Sequence, residues 1–137
     1  MNLFAWARRR AGRLPAELRS ELEAEGVLVL AEELPGTLTL RNYRAPWRYT
    51  SASKETVTGA VGVTDKRLVV WAQGRSVLDV PRLAGQVAKL EVAAEGADTI
   101  FFGFAAEDFH ADRSGRVEFR FCTIEAARIA ELLGARG

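Results

Sequence analysis

The stretch from Gly59 to Trp71, GAVGVTDKRLVVW, limits the fold more than any other part of the chain. Two apolar β-type runs, Ala60-Val61-Gly62-Val63 and Leu68-Val69-Val70-Trp71, meet at the charged tetrapeptide Thr64-Asp65-Lys66-Arg67. Such a pattern predicts a tight hairpin of two buried strands. Leu68 and Val70 share one face and are expected in the core; Val69 and Trp71 share the other. Asp65 is expected to accept hydrogen bonds from turn amides two residues on, and Lys66 and Arg67 to keep the turn solvated.

At 137 residues the chain fits one domain. A domain of this size buries roughly two-thirds of the surface its unfolded chain exposes, so it needs no covalent staple. The net charge is +1, which gives no global electrostatic case for nucleic acid or an anionic membrane. A single cysteine, Cys122, excludes an internal disulfide and a cysteine zinc cluster. No apolar run is long enough to span a bilayer. The start, MNLFAWARRRAGR, places its short apolar part before the arginines, the reverse of a secretory signal. These features point to a cytoplasmic protein.

Residues 1–13 read as a basic arm with Arg8, Arg9, Arg10 and Arg13 and no acid among them. A helix over 14–25 follows. Pro15 suits its first position, Leu14, Leu18 and Leu22 form one apolar face, and Gly26 can end it. The period then changes to strand. Val27–Glu32 is a β candidate, Leu34-Pro35-Gly36-Thr37 a turn, Thr37–Tyr43 an alternating strand, and 44–56 a polar loop. After the 59–73 hairpin come Val77–Val80, the alternating run Ala88–Ala94, the apolar run Thr99–Phe104, a polar loop, and Arg116–Cys122. Thr123 is a natural N-cap for a helix over 124–133, with Ala126, Ile129, Ala130 and Leu133 on one face and Gly134 closing it. The expected class is α+β: a small antiparallel β-barrel or sandwich of about seven to eight strands, capped by the C-terminal helix, with an extra N-terminal helix. The domain spans 14–137.

Gly62-Val63-Thr64-Asp65-Lys66-Arg67-Leu68-Val69-Val70, followed by a short strand ending in Val80-Pro81, resembles the hairpin pattern of bacterial pleckstrin-homology-like (PH-like, GRAM-related) domains. Val117–Phe121 and Ile124–Leu133 fall where that family has its last strand and terminal helix. The resemblance covers roughly 27–134. It implies a PH-like barrel and a binding role, since such domains bind phosphoinositides, peptides, other proteins or their own oligomeric partners. The Thr37–Tyr43 strand with its long loop, and the helix and arm before residue 27, depart from the core pattern.

Catalytic signals are weak. Asp108, His110 and Asp112 alternate like part of a calcium loop, but the glycine is misplaced and no glutamate closes it. One histidine and one cysteine supply no local nucleophile–base pair. We therefore expect no enzyme, metal or cofactor. The stronger candidate is a basic aromatic segment. Arg41, Arg44, Arg48 and Lys54 are interleaved with Tyr43, Trp47 and Tyr49, which suits an anionic lipid or phosphate ligand. In several PH-like domains basic loops at the barrel's open end hold lipid. The arm offers a second surface: Phe4 and Trp6 beside Arg8, Arg9 and Arg10 suit a membrane face or a partner. The expected function is a non-enzymatic binding module for a protein partner or an anionic surface, acting in the cytoplasm or at the inner membrane face. The alternative is an assembly subunit working through a sheet edge or the leucine helix.

Overall fold

The computed structural model describes residues 11–82 and 87–134. Its elements run α1 (Ala16–Glu25), β1 (Val27–Ala45), β2 (Arg48–Thr64), β3 (Arg67–Ala72), β4 (Arg75–Pro81), β5 (Glu91–Ala94), β6 (Thr99–Ala105), β7 (Ser114–Cys122) and α2 (Ala126–Leu132). All strand pairs are antiparallel, in the order β4-β3-β2-β1-β7-β6-β5. The sheet curls into a half-barrel, and α2 packs on β5 and β6.

Apolar alternation explains the two layers. The concave face collects Leu40, Val61, Val63, Leu68, Val70, Phe102, Phe104, Phe119 and Phe121, and α2 adds Ala126, Ile129 and Ala130. The convex face of β2 and β3 presents Ala60 and Val69, which Leu14 and Leu22 of the N-terminal segment cover. Leu68 and Val70 are thus core, as their spacing predicts, and Val69 is fully buried on the opposite side. A Cβ at Gly62 would meet Leu22 Cδ1 at 2.9 Å, so the missing side chain lets the helix lie directly on the strand backbone. Arg19 holds Glu32 at 2.7 Å, and the Leu14 amide donates to Glu32 Oε2 at 2.8 Å.

Several expectations are corrected. The dipeptide Pro35-Gly36 does not turn; β1 runs straight through it. Thr58, opposite Pro35, directs its amide and carbonyl to Gln73 rather than to β1. Pro35 therefore sits in a non-hydrogen-bonded pair, and pairing with β7 begins only at Gly36, so its missing N–H is not needed. A Cβ at Gly36 would collide with the Arg120 carbonyl and the Phe121 ring. The irregularity lies just before, where the register shifts between Ala31 and Leu34 and Glu33 has φ 58°. The predicted loop 44–56 is instead the tip of one long hairpin, with a two-residue turn at Pro46-Trp47. The run from Ala88 is strand only over Glu91–Ala94, because 87–89 form a 3₁₀ turn. Pro15 lies one position before α1 instead of inside it.

The hairpin turn is also held differently. Thr64, fully buried, accepts the amides of Lys66 and Arg67 at 3.1 Å each and donates to Glu25 Oε1 at 2.9 Å. Its carbonyl accepts from Arg82, whose other guanidinium nitrogen donates to the Leu132 carbonyl of α2. Arg67 is not a solvated turn charge. It bridges Glu21 at 3.0 Å, Glu25 at 3.1 Å and Asp79 at 3.0 Å. Burial works against its charge, but the hydrogen bond to Glu21 and the charges of Asp79 and Glu25 outweigh it and hold the guanidinium above its usual pKa. Asp65 is exposed. Thr64→Val should therefore lower stability by about 2 kcal/mol, since it strands two amides and a carboxylate. Asp65→Ala should stay within about 0.5 kcal/mol, as surface changes do. Urea unfolding of both variants checks the contrast; equal losses would mean that Thr64 does not hold the turn.

Candidate functional site

The open end of the half-barrel holds a cleft of about 430 Å³, within the usual range for ligand sites. Three connections surround it. The β1–β2 tip supplies Trp47 and Arg48, the β3–β4 turn supplies Gln73, Arg75 and Ser76, and the β6–β7 loop supplies His110 and Arg113. Its floor is apolar, with Leu38, Leu40, Val57, Phe104, Val117 and Phe119 from the strands. These residues point inward because β1, β2, β6 and β7 alternate, and the curl of the sheet leaves a gap where a complete barrel would close.

Arginines dominate the rim electrostatically. Arg48 and Glu55, across the hairpin tip, stand 4.0 Å apart at the limit of an ion pair. Arg113 stacks over Trp47 with 5.4 Å from guanidinium carbon to ring centroid. Its Nε is buried without a hydrogen-bond partner, lying 3.5 Å from Asp112. Arg75 forms no ion pair among the described residues. Among the described residues, Glu55 is the only carboxylate lining the cleft against these three cations.

His110 does not sit in an open loop. The 3₁₀ turn Ala106–Asp108 folds the chain back, and the His110 amide donates to the Ala106 carbonyl at 2.9 Å. The ring reaches the backbone of Val77 in β4, spanning the gap between the β6–β7 loop and the sheet margin. Burial lowers the imidazole pKa below 6.5, and the Arg113 charge acts the same way; the Asp112 charge and the Val77 hydrogen bond oppose them.

The basic aromatic segment is split by this geometry. Trp47 and Arg48 line the cleft. Arg41 points elsewhere, 3.8 Å from Glu118. Arg44 packs over the Tyr49 ring at 4.7 Å and borders a shallower hollow shared with Pro46, Trp47, Asp112 and Arg113. Lys54 is exposed on β2 opposite Thr39. Sequence reasoning missed Arg75, Arg113 and His110 as cleft residues, since they lie far from residue 48 in the chain and only the curl joins them. The arm residues Phe4, Trp6, Arg8, Arg9 and Arg10 lie outside the described residues. Arg13 reaches Glu33 at 3.4 Å. Among the described residues no group of three or more His, Cys, Asp and Glu could hold a metal ion, and no helix is long and apolar enough to cross a membrane.

The chain matches none of the protein-family models and none of the curated proteins with which it was compared.

His110 sets a pH dependence. The folded state keeps the ring neutral to a lower pH than the unfolded chain, whose histidine titrates near 6.5. Between those values the unfolded chain binds more protons, so stability rises with pH. This contribution is complete above about 6.5 and is lost as pH falls through the folded pKa. The imidazole proton resonances should titrate below 6.5, and His110→Gln should flatten the stability profile just below that pH. A titration midpoint at or above 6.5 would contradict the placement.

Proposed function

We propose that this chain is a non-enzymatic binding module that receives an anionic group, carried by a protein partner or a lipid headgroup, at the open end of the half-barrel. One observation carries the reading: Arg48, Arg75 and Arg113 converge from three separate connections on one apolar-floored cleft whose lining holds, among the described residues, a single carboxylate. Arginine matches carboxylate and phosphate oxygens through paired donors. The resemblance to PH-like domains agrees with this, because their loops at the open end hold lipid. Trp47, 68% exposed, extends the same rim and suits an interfacial contact. Attachment to the inner membrane surface belongs to the lipid form of this reading.

The assembly alternative now has one route rather than two. The leucine face of α1 is spent on Ala60, Val69 and Trp71, which leaves a sheet edge as the available surface.

Sedimentation with phosphatidylcholine vesicles, with and without phosphatidylserine, and titration with inorganic pyrophosphate test the anion site. Arg75→Glu or Arg113→Glu should weaken binding roughly tenfold each, the scale of one lost charge-assisted hydrogen bond. Arg41→Glu, outside the cleft, should change little. Equal binding by wild type and both cleft variants would refute the site.

A further inference from the structure

One face of the long hairpin tip is bonded and the other is not. β1 and β2 keep a single register from Leu34↔Gly59 to Ala45↔Arg48. β3 pairs with β2 only from Gly59 to Val63. At the boundary the Thr58 amide donates to Gln73 Oε1 at 3.1 Å, and the Thr58 carbonyl accepts the Gln73 amide at 2.9 Å. Thr58 thus turns both backbone groups away from β1. Residues of an antiparallel pair alternate between bonding the partner and pointing away from it. As far as Ala52, before the ladder is interrupted at Asn42 and Ser51, Thr56, Lys54 and Ala52 therefore aim their amides and carbonyls outward, while Glu55 and Ser53 bond β1. Among the described residues, the one hydrogen bond to these outward groups comes from the Thr50 hydroxyl, which donates to the Ala52 carbonyl at 3.3 Å.

Of the usual protections, this edge carries charge, at Lys54, but no proline, bulge or cover among the described residues. β4, at one margin of the sheet, ends in Pro81, and β5, at the other, lies under α2. The Arg48–Thr56 edge also borders the cleft, since Arg48, Glu55 and Val57 line it. A strand laid along the edge would send alternate side chains toward that apolar floor.

We propose that the β2 edge from Arg48 to Thr56 takes an extended acidic segment of a partner protein as an added strand, its apolar side chains entering the cleft and its carboxylates meeting Arg48, Arg75 and Arg113. This rests on the reading of the cleft as an anion site and names its ligand. The acidic character follows from charge: three arginines line the cleft and Lys54 lies on the edge itself, against Glu55. A peptide fits better than a free phosphate or lipid headgroup, because only a peptide also pairs the outward backbone groups.

Amide exchange of the ¹⁵N-labelled full chain tests this with a capped peptide of alternating valine and glutamate, long enough to span Arg48–Thr56. Binding should slow exchange at Ala52, Lys54 and Thr56 by about tenfold or more. Ser53 and Glu55, already bonded to β1, should change little. The same peptide N-methylated at alternate residues, or carrying lysine for glutamate, should not bind. Ala52→Pro should abolish binding while leaving the fold intact, because its lost N–H faces away from β1; the N-methylated peptide keeps the test valid should that variant misfold. Peptide binding without slowed even-numbered amides, or equal binding of the N-methylated peptide, overturns the added strand and leaves the anion cleft standing. Loss of pyrophosphate binding together with peptide binding overturns both. Even-numbered amides already protected in the free chain overturn it too: at all concentrations the chain's own residues cover the edge, and with rising concentration a second copy does. Binding of anionic vesicles but not of the peptide gives the site to lipid and also refutes the proposal.

Discussion

The pairing of β1 on both sides over about a third of its length governs the rest of the structure. From Gly36 to Arg41 each residue of β1 has a partner in β2 and another in β7, so its backbone groups are committed in both directions. That double commitment joins β2, β3 and β4 to β5, β6 and β7 in one sheet. With β3 too short to follow β2 along its whole length, the curl stays open at the hairpin tip. The cleft and the unpaired edge are two consequences of the same mismatch in strand length.

A second constraint fixes the convex side. Thr64 and Arg67 bind the hairpin turn to α1 through Glu21 and Glu25, to β4 through Asp79, and, through Arg82, to the end of α2. Partial burial of Arg67 and Glu25 makes their pair stronger than a surface ion pair and its loss costly, whereas Glu21 and Asp79 are solvated partners. The motif that looks most distinctive in the chain is therefore a structural clamp. The chemistry at the open end comes from residues that look ordinary in sequence.

Much of the fold is legible from short-range pattern. The paired faces of Leu68, Val70 and Val69 and the leucine spacing of α1 follow from side-chain periodicity. Thr123, expected as the N-cap of the last helix, instead holds the turn before it: its hydroxyl accepts the Glu125 amide at 3.0 Å, and α2 begins at Ala126 with Glu125 at the N-cap. Residues 48–56 were not legible, because a strand exposed on both faces has no apolar alternation to betray it. Pro35-Gly36 misleads for a different reason. Its turn chemistry is real, but the strand tolerates the proline where no N–H is required, and it needs the glycine for close approach. Of the candidate contacts, Trp47 and Arg48 were recognisable from local basic aromatic composition. Arg75 and Arg113 carried no such signal, and the Asp108-His110-Asp112 alternation drew attention to His110 as a metal or catalytic candidate rather than as a cleft residue.

The amino-acid sequence by itself determined the two-layer burial around the hairpin, the class of the domain and the helices at either end, since these depend on residues a few positions apart. Only the tertiary structure decided which cations share a cleft, which face of β2 goes unpaired, and that Arg67 is a buried tie and not a solvated charge. Those outcomes depend on strand lengths, register and curl, which bring together groups tens of residues apart.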